Sequence, residues 1–253
     1  MFPLSSILCI KTSPARFISM PALPWLDENL WFPHPDSALK DPNGLLCVGG
    51  DLHPARLRLA YENGIFPWFS EDQPILWWSP DPRCIIRHED LHISRSMRRF
   101  LRNSGLTYSF DQHFTLVVQA CAAPRSYSNE TWITRDMLQA YSDLHQIGVA
   151  HSIEVWRESE LVGGLYGLAI GRCFFGESMF SKETNASKAA FITLVRQLHA
   201  WGYRLIDCQV PNPHLLSLGA CQISRKEFLS ILEIEVRADF SHPWKMTIDP
   251  TGY

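Results

Sequence analysis

Two short stretches carry polar groups whose surroundings make them candidates for chemistry. LIDCQV, residues 205–210, reads as a strand. Alternation along it puts Leu205, Asp207 and Gln209 on one face and Ile206, Cys208 and Val210 on the other, which reads as core. A carboxylate and an amide side by side in so apolar a segment are costly to bury without partners. Glu177 in GESMF adds a third polar group after the apolar CFFG, and Asn212 in VPNP stands close to LIDCQV. Taken singly, each of these groups can be satisfied by a loop backbone. As a set they read as a site. No serine or cysteine nucleophile with a histidine base sits at a recognisable elbow, and Cys208 faces away from Asp207 and Gln209. The set suits a reaction whose two reactants bring their own reactive groups, with the protein supplying position and polarisation.

Other stretches point to a partner. HEDLH, residues 88–92, matches the H-E-x-x-H pattern of zinc peptidases, which needs both histidines on one helical face. Ser94 reads as the N-cap of a helix starting after the second histidine, so the pair precedes that helix and no metal is expected. Within the helix, Arg95, Arg98, Arg99 and Arg102 fall at i, i+3, i+4 and i+7, one face of like charge. Ion pairs from elsewhere would satisfy such a face, and so would a phosphate backbone, with Arg83 and Arg87 nearby in sequence. The aromatic run GIFPWFSEDQPILWWSPDPR, residues 64–83, contains Trp68, Phe69, Trp77 and Trp78. Each alone reads as core; beside an arginine face they also offer stacking surfaces for an unpaired nucleotide.

The elements that must position these groups follow from periodicity. DPNG leads into an apolar strand at 45–48, and Pro54 opens a helix that ends at Gly64. Four prolines make the aromatic run an expected extended loop rather than a helix or regular strand, and the boundary between an N-terminal unit and the rest. HSIEVW, LVGGLYGLAI and CFFGESMF read as hairpin-linked strands. Phe191, Leu194, Val195, Leu198 and Trp201 mark a helix capped at Asn185 or Ser187 and closed by Gly202, before the strand YRLIDCQV. The order strand, strand, strand, helix, strand is an α+β arrangement reminiscent of acetyltransferases. SKETNASK stands where a pyrophosphate-binding Gly-rich loop would precede the helix, which argues against acetyl-coenzyme A.

Composition bounds the rest. The 253 residues, 46% hydrophobic, suffice for one large or two modest domains. A net charge of -3 means that any nucleic-acid contact must come from a local patch. Seven cysteines without a CxxC pair fit a reduced, cytoplasmic protein, and no apolar run approaches a membrane span. The opening MFPLSSILCIKTS lacks the basic region of a signal peptide, and Met20 is a candidate working start. The expected division is an extension at 1–19, a small N-terminal domain with the aromatic loop at 20–82, and a catalytic domain at 83–253.

GLLCVGGDLHPARLRLAYENGIFPWFS, ILWWSPDPR, LHISRSMRRF, ETWIT, HSIEVW, LVGGLYG, GESMFS, NASK, LIDCQV and SLGA, in that order, resemble the leucyl/phenylalanyl-tRNA-protein transferase family from about residue 30 to about residue 235. The resemblance implies a bacterial cytoplasmic enzyme that moves Leu or Phe, and less readily Met, from aminoacyl-tRNA to proteins beginning with Arg or Lys, marking them for degradation. It implies a small N-terminal domain followed by an acetyltransferase-like (GNAT-type) domain, with no metal and no other cofactor; a monomer is expected. Asp207 and Gln209 then correspond to the catalytic pair, with Gln209 accepting a hydrogen bond from the attacking amine and Asp207 orienting and polarising Gln209. Asn212 joins them, and Glu177 corresponds to the acidic residue near the acceptor peptide. Trp68 and Trp132, assisted by Tyr61 and Tyr141, shape the aminoacyl-adenosine site. Leu165, Phe174, Met179, Phe191 and Ile206 line the pocket for the transferred side chain, and the arginine helix meets tRNA phosphates. A tRNA-binding protein without transfer activity is the alternative.

Overall fold

The computed structural model describes residues 23–123 and 133–252. The first of two sheets has the order β1-β2-β4-β3, built from β1 (Trp25–Leu26), β2 (Leu45–Gly49), β3 (Phe66–Pro67) and β4 (Leu76–Trp78). Between β2 and β3 runs α1 (Pro54–Glu62), which starts with proline in its first turn and ends before Gly64 at φ +71°. The aromatic run is therefore not a loop throughout: it carries the two short strands β3 and β4, with irregular connections between and after them. Its Trp77 pairs with Cys47 of β2, is fully buried, and donates its indole N–H to the Gly49 carbonyl at 2.9 Å. Burying those rings outweighs the prolines, which lie at strand ends or in the connections.

The second sheet has the order β11-β5-β10-β9-β8-β7-β6. Its strands are β5 (Arg83–Ile86), β6 (Thr107–Phe110), β7 (Ala150–Arg157), β8 (Glu160–Ile170), β9 (Cys173–Ser181), β10 (Leu205–Gln209) and β11 (Cys221–Ile223). The helices are α2 (Arg95–Asn103), α3 (Phe114–Ala122), α4 (Arg135–Gln146), α5 (Ala186–Trp201), α6 (Pro213–Ser217) and α7 (Arg225–Glu235). One face of this sheet shares a core with α1, α3, α4, α7 and the first sheet, through residues such as Tyr61, Trp77, Val117, Tyr141, Phe175 and Phe228. The other face is covered by α2 and α5, with Met97, Leu101, Leu194 and Val195 packed on Ile153, Val155 and Phe174. The fold is thus mixed α+β, with an N-terminal sheet and a larger mixed sheet. No helix of the described residues is long and apolar enough to cross a membrane.

One irregularity in the large sheet makes the cleft. Strands β9 and β10 run parallel, but they pair only through Cys173–Leu205, Phe174–Ile206 and Phe175–Asp207. Beyond that point both carry bulges. Asp207 faces Ile85 and Gln209 faces Cys84, leaving Cys208 as an extra residue in β10. Gly176 faces Gly167 and Ser178 faces Tyr166, leaving Glu177 as an extra residue in β9. Bulges bend their strands, and here the two strands part. Gly167 is required at this point, because a Cβ there would run into the Phe175 carbonyl oxygen and come within 2.7 Å of the Phe174 ring.

Candidate functional site

The opening between β9 and β10 is a cavity of about 910 Å³ lined from both sides of the sheet. Leu165, Phe174, Phe191 and Ile206 are buried in its wall, and Met179 is partly buried beside them. This α5 side is apolar. Trp68, Phe66 and Phe180 belong to the opposite side, and the Trp68 ring packs at 5.8 Å from Trp78. Glu177, Asp207, Gln209 and Asn212 also line the cavity. Six apolar residues and four polar ones singled out from sequence are therefore gathered around one opening.

Bulging and backbone conformation aim the polar groups. Gln209 sits at φ +59°, a left-handed conformation that a non-glycine residue adopts only where its surroundings enforce it. The restraint is visible: the Gln209 backbone N–H donates to Asp207 Oδ1 at 2.8 Å. Its side-chain Nε2 then donates to Glu177 Oε1 at 2.7 Å, spanning the mouth of the cleft. Asp207 thus orients Gln209 through the main chain, and the expected polarisation of the Gln209 side-chain amide by Asp207 is replaced by a bond to Glu177.

The Asp207 carboxylate is fully buried and held by Arg83, which donates from Nε to Oδ1 at 2.9 Å and from Nη2 to Oδ2 at 2.6 Å. Arg83 also donates to the Gly64 carbonyl at 3.1 Å, and its guanidinium lies 4.8 Å from the Phe66 ring and 4.6 Å from that of Phe228. Its grouping with the phosphate-facing arginines is corrected: it is 1% exposed. A charged residue opening the apolar strand RCII was the available signal, since a buried arginine requires a buried acid. Arg87 is likewise engaged, at 3.4 Å from Glu227 and 3.8 Å from Asp90.

Tyr61 and Tyr141 are fully buried behind Glu177 and do not line the cavity. Tyr61 donates to Glu177 Oε1 at 2.7 Å and Tyr141 to Oε2 at 2.8 Å. Burial, and next the Glu177 charge, raise both phenols well above their ordinary value, so they remain donors. Desolvation pushes the Glu177 carboxyl up to about 7, against the lowering effect of hydrogen bonds from Tyr61, Tyr141 and Gln209 and with a further push from Asp207. Asn212 caps α6, its Oδ1 accepting the Leu215 N–H at 2.9 Å. Trp132 lies outside the described residues.

Arg95, Arg98, Arg99 and Arg102 are exposed on α2, opposite the buried Met97 and Leu101, and none of the four has an ion pair among the described residues. The HEDLH stretch forms a single 3₁₀ turn, His88–Asp90, and His88 stacks on His199 at 3.7 Å. Val210, expected in the core, is 39% exposed because β10 ends at the bulge.

Two family models match the chain: leucyl/phenylalanyl-tRNA protein transferase over residues 85–233, and the N-terminal domain of the same family over residues 50–81. A protein of Pseudomonas fluorescens named leucyl/phenylalanyl-tRNA–protein transferase is 57% identical, covering 88% of this chain and 99% of its own. Proteins of the same name from Pseudomonas syringae pv. syringae and Stutzerimonas stutzeri are 59% and 52% identical, covering 83% and 88% of this chain and 92% and 99% of theirs. Among solved structures, L-PGS from Bacillus licheniformis is similar over 61% of this chain and 50% of its own, at 13% identity and a TM-score of 0.35, too slight a likeness to carry a statement about fold.

Proposed function

The chain belongs to the leucyl/phenylalanyl-tRNA–protein transferase family, and from that premise we propose how its cleft serves the transfer. The protein is an aminoacyltransferase, carrying an aminoacyl group from tRNA to protein. In our reading it takes Leu or Phe, and less readily Met, and joins it to the α-amine of proteins beginning with Arg or Lys, which are thereby marked for degradation. It works in the cytoplasm as a monomer. Residues 20–82 act as a small N-terminal domain and residues 83–253 as an acetyltransferase-like catalytic domain; the parallel, splayed β9–β10 pair supports that likeness.

The observation that carries the proposal is the Gln209–Glu177 bond across the mouth of an apolar chamber. The transferred side chain enters between Leu165, Phe174, Met179, Phe191 and Ile206, which offer apolar contact without charge. Trp68 offers its ring to the terminal adenosine. An aminoacyl ester is already activated, so the chemistry needs a neutral amine, an aligned approach and a place for the proton. A peptide α-amine titrates at about 7.7 to 8.0, so an appreciable fraction is neutral near pH 7. Because the Gln209 amide nitrogen faces Glu177, its carbonyl oxygen is left to align the amine. Arg83, Asp207 and the Gln209 backbone hold that alignment, Glu177 stands beside the acceptor, Asn212 fixes the rim, and the α2 arginines meet tRNA phosphates.

The test incubates the protein with radiolabelled Leu-tRNA and a peptide beginning with Arg, beside the same peptide beginning with Ala, and weighs the product. Label on the Arg peptide alone is expected. Equal labelling of both peptides overturns the acceptor preference, and no labelling of either, with the tRNA still bound, overturns the transfer reading.

A further inference from the structure

Behind the cleft two hydroxyls and a carboxylate close a ring. The Tyr61 hydroxyl meets Glu177 Oε1 at 2.7 Å, the Tyr141 hydroxyl meets Oε2 at 2.8 Å, and the two hydroxyls meet each other at 2.6 Å. Three hydrogen-bonding contacts are present, but two phenols bring only two protons. With Glu177 ionised, both phenols turn to the carboxylate and the contact between them holds no hydrogen. With one proton on Glu177, all three contacts are filled in a single direction around the ring. The arrangement is one proton short when Glu177 is ionised, and complete when it is not.

We propose that Glu177, backed by Tyr61 and Tyr141, is the proton acceptor of the transfer reaction, taking the proton that the attacking amine sheds and returning it to the departing ribose oxygen. This rests on the transfer reading above and deepens it. Gln209 touches the same Oε1 of Glu177, so an amine aligned by the Gln209 carbonyl oxygen arrives beside the carboxylate. The other acid of the cleft is occupied: Asp207 accepts two bonds from Arg83 of β5 and one from the Gln209 backbone. The groups facing Glu177 are Tyr61 from α1, Tyr141 from α4, and Gln209 and Asp207 from β10. Tyr166 of β8 packs edge-on against Tyr141 at 5.4 Å, and its own hydroxyl is raised by burial and then by the Glu177 charge. No lysine or arginine pairs with Glu177 among the described residues. A carboxyl titrating at about 7 is matched to an amine of about 7.7 to 8.0, close enough for the proton to pass either way.

The step balances. The amine nitrogen attacks the ester carbonyl carbon and the N–C bond forms. The C–O bond to the ribose 3′ oxygen breaks, with its electron pair staying on that oxygen. The proton released by nitrogen rests on Glu177 and passes to the 3′ oxygen, so the protein ends as it began.

The experiment measures single-turnover transfer from Leu-tRNA to one Arg-initiated peptide, both saturating, across pH ~5.5 to ~9 for the wild type, Glu177→Gln, Tyr61→Phe and Tyr141→Phe. Glu177→Gln is expected to lower the rate constant by about 100-fold or more, with the peptide concentration for half-saturation changed less than about threefold. Tyr141→Phe removes a donor to the carboxylate, so the rising limb of the pH profile is expected to move to higher pH; the amine's own titration is the same for every variant. The assignment is overturned if Glu177→Gln keeps the wild-type rate within about threefold, if its loss lies in peptide binding alone, or if the limb stays put in Tyr141→Phe. Should Glu177→Gln fail to fold, the limbs of the two tyrosine variants decide. A wild type that transfers nothing refutes the functional reading instead, a separable result.

Discussion

At the scale of single residues, the Arg83–Asp207 pair and Glu177 behave in opposite ways. A buried guanidinium on a buried carboxylate is destabilised far more by losing one partner than by losing both. Arg83→Met should therefore cost about 3 to 5 kcal/mol in urea unfolding, and adding Asp207→Asn should recover part of that. Transfer activity should not recover with it, because the amide oxygen that Asp207→Asn leaves, neutral and no longer held by Arg83, is a weaker and less fixed acceptor for the Gln209 backbone N–H. Glu177 titrates at about 7, above an ordinary carboxyl, so between roughly 4.5 and 7 the native state holds a proton that the unfolded chain has released. Stability contributed by the protonated form is thus lost as pH rises through that window. Glu177→Gln lacks the loss, and its melting temperature relative to wild type should climb from pH 5 to pH 8, as differential scanning fluorimetry would read. Asp207, Gln209 and Glu177 could be singled out from sequence because polar residues in apolar strands stand out. Their wiring could not, because Arg83 lies 124 positions from Asp207 and Tyr61 lies 116 from Glu177.

At the scale of elements, α1, α2, α5 and the β7–β9 hairpins were legible because period, caps and closing glycines agree. The aromatic run misled for a physical reason: four prolines argue against regular structure locally, while Trp77 and Trp78 gain more from a shared core than the prolines forbid. The bulges in β9 and β10 leave no mark that alternation can detect, although they decide where Glu177 and Gln209 point. Helix α2 presents its four arginines on the exposed face, opposite Met97 and Leu101, and the proposed tRNA contact lies there. Replacing Arg98 and Arg99 by Gln should leave the fold intact and weaken tRNA binding. The slope of log affinity against log salt should shrink by about 2, and an unchanged slope in filter binding would remove phosphate contact from the account of this helix.

At the scale of the whole molecule, the core beneath the cleft is shared by both sheets, and the chain's last segment braces the other side. Residues 236–252 have no regular structure, yet the Trp244 ring stacks on His151 at 3.7 Å and lies 5.0 Å from Trp201 and 6.2 Å from Phe174, a wall of the cleft. That segment lies beyond the motifs, and its order comes from ring contacts without a period, so nothing in the sequence announced it. Trp244→Ala should cost about 2 to 3 kcal/mol, somewhat less than a fully buried tryptophan. Urea unfolding would check this, and a change near zero would mean that the tail rests on the sheet without supporting it.

The bond between Gln209 and Glu177 also bears on what happens when no acceptor is present. The two side chains then satisfy each other across the gap between β9 and β10 like a latch, and the bond uses the Gln209 amide nitrogen while leaving its carbonyl oxygen unspent. An arriving amine can meet that oxygen without breaking the bond. On the proposed reading, the pair that bridges the gap is the pair that later directs the reaction.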